Sequence, residues 1–529
     1  MFMHKNRSVD VHSFAMVPRA DIPRSKFRAQ KALKTAFDSG QLVPIFVDEV
    51  LPGDSMSLKM TGFTRLATPL YPFIDSLHLE TFFFFVPNRL VWSNWQRFQG
   101  ERDPNPDSSI DYTIPQMVSP TGGYAIGSLQ DYMGLPTVGQ VDGSSTVSHS
   151  ALFTRAYNLI YNQWFRDENL QNSVTVDIDD GPDNASDYTL LRRGKRKDYF
   201  TSGLPWPQKG DAVMLPLGDK AYITTDASQN ESIGVDDSSG NARYLGANVS
   251  NIYLGATGVS DDKRLYADLG EATAATINSI RNAFQTQRLL ERDARGGTRY
   301  QELLRSHFGV SPDDLRLFRP EFLGGGSAPI NVNPVAQTSS TNITGGDTPL
   351  GTLGAVGTGL ASGHGFSNSF SEHGMVIGLA NVRADLSYQQ GLHKKWSRLT
   401  RYDFYLPVFS HIGEQAILNK EIYCDGTAND DGVFAYQEAW SDLRYKPSEV
   451  TGLMRSTASG TLDPWHLSQH FTSLPTLNAT FIEDRPPVDR VVAVGSAANG
   501  QQLIFDAFFD INMARPLPMF SVPGLVDHF

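Results

Sequence analysis

The chain has one cysteine, Cys424, in 529 residues, so no intrachain disulfide can form. This fits assembly in a reducing compartment, where such a lone thiol is expected to act as a small buried side chain. Charge is also scarce. Asp, Glu, Lys and Arg make up 19% of the chain, against about a quarter in ordinary globular domains. With aromatics at 11%, low charge implies that much surface is covered, in part by partners. No apolar run approaches the roughly 18 residues of a spanning helix, so membrane insertion is not expected. The start, MFMHKNRSVDVH, lacks the apolar core of a secretion signal. No internal repeat is present, which argues against a fibrous adhesin.

Catalytic signatures are missing too. There is no HExxH, CxxC or His-x-His pair to hold a metal and no GxSxG nucleophile elbow. GGGS at 324–327 lacks the Lys-Ser/Thr of a phosphate-binding loop and reads as a flexible loop. His364 and His373 stand nine apart in a Gly/Ser-rich stretch and read as ordinary loop histidines. Glu372, Asp385, Glu414 and Glu421 are the carboxylates that a β-rich glycosidase would use in pairs, which keeps a carbohydrate-active enzyme as the competing reading. We expect no enzyme activity, no cofactor and no metal.

What is present is asymmetric. The net charge is -12, yet residues 1–37 hold eight bases and two acids, and residues 221–262 hold six acids and one base. Such a split predicts two surfaces facing different environments. Residues 1–40 read as a polar basic arm. Short β-rich runs follow: QLVPIFVDEV, SMSLKM and SLHLETFFFFV. The last alternates, then becomes aromatic on both faces at Phe82–Phe85. One face must meet the opposite sheet, and the other a helix, a long loop or another subunit. We expect helices over 151–170 and 271–294, the second with Ile277, Ile280 and Phe284 as its apolar stripe and Gly296-Gly297 as its stop, and a short one in TRYQELLRSHFG. Strands are expected to resume at 375–388, 401–410 and 501–514. Residues 105–150, 218–262 and 330–365 look loop-like, with β-like pieces such as AYITT and NIYLGA inside the second.

Two basic segments carry aromatics: RSKFRAQKALK (24–34) and RRGKRKDYF (192–200). Clustered Lys and Arg neutralise phosphates, and adjacent rings stack on unpaired bases. The candidate nucleic-acid-binding residues are Arg24, Lys26, Arg28, Lys31, Lys34, Arg192, Arg193, Lys195, Arg196 and Lys197. A chain at -12 cannot neutralise much nucleic acid alone, so small basic peptides or cations must supply the remainder.

Several long segments resemble the major capsid protein of the Microviridae, the small tailless single-stranded DNA phages, and most of all its gokushovirus-like branch. They are PRSKFRAQKALKTAFDSGQLVPIFVDEVLPGD, LYPFIDSLHLETFFFFVPNRLVW, DYFTSGLPWPQKGD, LLERDARGGTRYQELLRSHFGVSPD, EHGMVIGLANVRADLSYQQGL, RYDFYLPVFSHIGEQAILNKEIY, FIEDRPPVDRVVAV and ARPLPMFSVPGLVDHF. The resemblance spans nearly the whole chain in order. It implies a mainly β fold, an eight-stranded antiparallel jelly roll with long insertions that contain a few α-helices. It also implies a shell of roughly sixty copies under closed point symmetry.

The expected division is a basic N-terminal arm at 1–40 on the inner surface, the first part of the jelly roll at 41–217, a surface insertion at 218–262, and a helical insertion with the remaining jelly roll at 263–529. The resemblance further implies a trimeric protrusion on each three-fold axis that meets a bacterial surface receptor. By position and composition 218–262 is the candidate, with Asp226, Glu231, Asp236, Asp237, Arg243, Tyr253 and Leu254 as its receptor-facing residues. Implied partners are a single-stranded DNA genome, a small basic DNA-binding protein and an internal scaffolding protein. The product is a virion assembled in the bacterial cytoplasm.

Overall fold

The computed structural model describes residues 23–101, 112–213, 277–310, 318–338, 351–493 and 501–520, together with short pieces between 223 and 267 and at 341–343 and 346–348. Eight strands make the main sheet: β1 (Ser25–Phe37), β2 (Val43–Val50), β3 (Ser55–Leu66), β4 (Leu77–Pro87), β5 (Glu321–Ala336), β6 (Leu353–Ser369), β7 (Gly374–Ala384) and β8 (Leu503–Arg515). They lie in the order β1-β8-β3-β6-β5-β4-β7-β2, and every pairing is antiparallel. The sheet curls into a nearly closed barrel. One half is β1-β8-β3-β6 and the other β2-β7-β4-β5, joined where β5 meets β6. First strand beside last, and second beside seventh, is the jelly-roll winding expected for a capsid barrel.

The barrel is filled by residues at alternate strand positions, among them Phe37, Phe46, Met60, Phe83, Phe366, Phe505 and Phe509. Phe82–Phe85 serve two cores. Phe83 and Phe85 point into the barrel, and Phe84 lies in a second cluster outside it, with Phe82 packed against that cluster. The outer cluster is closed by helix α1 (Leu152–Ile160) and the π-helical turn Tyr161–Phe165 that continues it. Phe165 meets Phe82 edge-on at 5.3 Å and Phe84 at 5.8 Å. The covering partner is therefore this chain's own helix. Each buried Phe contributes roughly 1.5–3 kcal/mol, enough to make the run a principal anchor of the insertion on the barrel.

Three expected backbone states differ from the structure. Residues 25–37 are not a loose arm but an edge strand paired with β8 along its whole length. Lysines on an edge strand also discourage pairing with foreign strands. The Gly/Ser-rich stretch at 324–370 is not mainly loop: it supplies β5 and β6. Its glycines allow close backbone approach, since a Cβ on Gly325 would lie 2.0 Å from the Thr81 carbonyl oxygen, and one on Gly365 2.0 Å from that of Leu58. Gly363, at φ +75°, takes up the bulge where β6 shifts register against β3. Residues 401–410 form two 3₁₀ turns, Arg401–Asp403 and Pro407–Phe409, because a cap at Thr400 and Pro407 interrupt the extended chain.

The chain divides into two compact units, Met1–Pro205 with Pro312–Phe529, and Trp206–Ser311. This differs from the expected division by grouping the helices with the 218–262 stretch. Within the smaller unit, α2 (Ile277–Gly296) and α3 (Tyr300–Phe308) are tied by His307 Nε2 and Asp293 Oδ1 at 2.6 Å, and the Lys209 amide donates to the Leu290 carbonyl. Gly297, at φ +98°, stops α2 as expected. Ile277 and Phe284 of its stripe are largely exposed.

Candidate nucleic-acid interface

The solvent face of the β1-β8-β3-β6 half-sheet carries cations and apolar rings together. Strict alternation in SMSLKMTGFTRL buries Met56, Leu58, Met60 and Leu66 and turns Lys59, Phe63 and Arg65 outward. Strand β8 likewise buries Phe505 and Phe509 and exposes Ile504, Asp506 and Phe508. On β1, Lys26, Arg28 and Lys34 share the outer face. Register sets Lys34 opposite Asp506, Asp506 opposite Phe63, and Phe508 opposite Thr61, so the two phenylalanines are diagonal neighbours. They remain 40% and 44% exposed, and Leu360 beside Phe63 is 62% exposed. The Arg65 guanidinium sits 5.9 Å from the Phe63 ring.

Against five cations on this face stand Asp506 and Asp510. Arg28 grips Asp510 with two bonds of 2.9 and 3.0 Å, which hold that carboxyl below its usual range. Chemically, the face offers flat apolar contact with positive charge around it. Two other bases of the first segment are used differently. Arg24 donates to Ser55 Oγ and to the Ala514 carbonyl, and the Lys31 amine lies 5.4 Å above the Phe46 ring.

The second basic segment is not a free surface. Arg193 and Arg196 converge with Arg383 on Glu80, which is 8% exposed. Burial pushes the Glu80 carboxyl up, but Arg193 and Arg383 outweigh it and leave it lowered. Arg196 also bonds Asp385 at 2.9 Å, and Lys197 pairs with Asp167. The Arg193 guanidinium lies 4.8 Å from the Phe82 ring, linking this hub to the aromatic run. Lys195 is buried with its amine 4.2 Å from the Phe481 ring, and burial lowers its pKa to about 8. Asp484 is nearly fully buried, which raises its pKa to about 7 against the pull of Arg383, Lys195, Arg193 and Arg192. Arg192 donates to the Ser39 carbonyl. The following rings are also engaged. Tyr199 donates to Glu421 at 2.8 Å and stacks on Tyr445, while Phe200 lies edge-on to Tyr388.

Other sequence candidates are dispersed. His364 is a buried β6 residue bonded to Thr81 Oγ1 at 2.8 Å, whereas His373 meets the Trp95 ring. Glu372 is held by Arg89, Asp385 by Arg196, and Glu421 accepts from Tyr199 and the Leu418 amide. Cys424 is exposed, not buried, with its thiol toward Asp430. Of the receptor-facing candidates, Asp236, Arg243, Tyr253 and Leu254 lie in a three-stranded antiparallel sheet formed by Gly234–Asp236, Ala242–Ala247 and Ile252–Thr257. Asp226, Glu231 and Asp237 lie outside the described residues. Lys59, Phe63, Arg65 and Phe508 were not singled out from sequence. Their signal is the alternation itself, but only the register of β8 against β3 assembles them.

A family model described as capsid protein (F protein) matches residues 15–525. The chain belongs to this capsid protein family. It is 46% identical to the capsid protein VP1 of Bdellovibrio phage phiMH2K, covering 98% of both chains. It is 41% identical to that of Chlamydia phage 1, again over 98% of both, and 36% identical to that of Spiroplasma virus 4, over 97% of this chain and 98% of the relative. All three phages are Microviridae. This capsid protein is thus a structural component of a small single-stranded DNA phage virion that assembles into a multi-copy shell, and not an enzyme. Among the described residues, no helix is long and apolar enough to cross a membrane.

Proposed function

We propose that about sixty copies of this chain close around a single-stranded DNA genome, with the outer face of the β1-β8-β3 sheet toward the DNA. The observation that carries this reading is the placement of Phe63 and Phe508, exposed on adjacent strands and flanked by Lys34, Lys59 and Arg65, with Lys26 farther along the same face. Such a face binds without sequence preference, because every base has a π-face and every nucleotide a phosphate. The net charge of -12 favours help from a small basic protein. An internal scaffolding protein and assembly in the host cytoplasm complete the reading, as the gokushovirus-like resemblance implies.

Changing Lys26, Lys34, Lys59 and Arg65 to glutamine is expected to leave shells intact and lower the DNA they retain. The salt dependence of DNA binding by the purified chain should flatten, by about 0.7 in log–log slope per lost phosphate contact. Absorbance ratios of gradient-purified particles and titration at several salt concentrations check this. Unchanged DNA content and slope would place the genome against another face.

The stretch 218–262 is proposed as the three-fold, receptor-facing protrusion of the shell. Its acidic balance and its place in the smaller compact unit support this. Deleting 221–262 is expected to spare shell formation while adsorption to the host falls to background. Normal adsorption would move the receptor surface elsewhere.

A further inference from the structure

The segment 396–412 displays an unusual density of exposed apolar groups. Trp396 is 71% exposed, Leu399 92%, Tyr402 73% and Val408 83%, with Phe404, Tyr405 and Ile412 about half exposed. The backbone beneath them is nevertheless fixed. Asp403 accepts from the amides of Leu399 and Thr400 at 2.9 and 2.6 Å, and Arg398 bonds the buried Asp442 at 2.7 Å. Trp440 is the central anchor. It is 9% exposed and holds a left-handed backbone at φ +63°, while its indole N–H donates to the Phe409 carbonyl at 2.9 Å. Its ring also stacks on Phe409 and meets Tyr405 edge-on. A rigid loop that points its greasiest side chains at water is preorganised for a partner, because little ordering entropy is lost on docking.

We propose that 396–412 is a contact between copies of this chain in the shell. The seven side chains together present on the order of 900 Å², about one partner's share of a standard protein–protein interface. The chain assembles into a multi-copy shell, so the neighbour every subunit meets is a second copy. The most exposed members, Leu399 and Val408, are aliphatic and offer no ring for stacking on bases, which disfavours the genome as occupant.

The test is a full-length Leu399→Asp, Val408→Asp chain produced with the phage's own assembly partners. Neither side chain is packed, so soluble yield and melting temperature should match the parent. Shells per folded chain should fall by about tenfold or more, since the defect recurs at every copy. Normal shell yield overturns the proposal. A second measurement covers the case of a variant that misfolds. Leu399→Cys in a Cys424→Ser background should react with a maleimide in the dissociated chain and be protected in both empty and filled shells. Equal labelling in shells and free chain overturns the proposal. So does protection that requires DNA, or protection that requires another protein.

Discussion

Neutralising Arg192, Arg193, Lys195, Arg196 and Lys197 together with glutamine is expected to abolish soluble chain, not to yield shells with less DNA. Glu80 would lose two of its three arginines, Asp167 its lysine, and the buried Asp484 three of the cations around it. Removing one partner of a buried pair costs about 3–5 kcal/mol, and two such losses reach the whole stability of an ordinary domain, about 5–15 kcal/mol. Soluble yield and thermal melting read the outcome. Arg193→Gln alone should already lower the melting point, because it removes both a Glu80 bond and the cation above Phe82. Stable shells with reduced DNA would instead show that this run faces the genome, and that its ion pairs are incidental.

Arg155→Leu is the second large effect. This arginine is 0% exposed. Its Nε donates to Asp183 at 2.8 Å, and its Nη1 donates to the carbonyls of Val91 and Asp179 at 3.0 and 2.9 Å. Tyr188 adds a hydroxyl bond of 2.6 Å to the same Asp183. The group fastens α1 to the loop beneath it, and α1 covers the outer aromatic cluster. The leucine leaves the Asp183 charge buried with only the Tyr188 hydroxyl and no guanidinium against it, for an expected loss of about 3–5 kcal/mol. Removing the partner as well, in Arg155→Leu with Asp183→Leu, should recover part of that loss, because two apolar groups leave no charge stranded. Denaturant unfolding of the single and double variants measures both. A single variant within about 1 kcal/mol of the parent would deny the pair its anchoring role.

These two predictions rest on neighbours far apart in sequence, and that is where reading the chain alone is weakest. RRGKRK has the composition of a nucleic-acid contact, but composition does not show whether carboxylates wait nearby. Glu80 and Asp385 arrive from β4 and from the residue just after β7, more than a hundred positions away on either side. The same blindness applied to Gly324–Gly326. A glycine run signals freedom when nothing surrounds it, and close packing when two backbones press on it, as those of Thr81 and Gly365 do here. Cys424 is exposed against expectation for a similar reason, since a lone cysteine's burial depends on which loop carries it.

By itself, the sequence determined the family, the mainly β class and the two-faced burial of Phe82–Phe85. Those follow from local alternation and from long ordered segments, which persist whatever packs around them. It also marked α2 with its glycine stop, and α3, because caps and helical spacing are local. Only the tertiary structure decided which bases remain available. It drew Arg193, Arg196 and Arg383 onto one buried carboxylate, and it set β8 between β1 and β3 so that Lys26, Lys34, Lys59 and Arg65 share a face with Phe63 and Phe508. Free charge is a property of register and burial. Both arise from strand pairings between the two ends of the chain, a separation at which residue order carries no distance information.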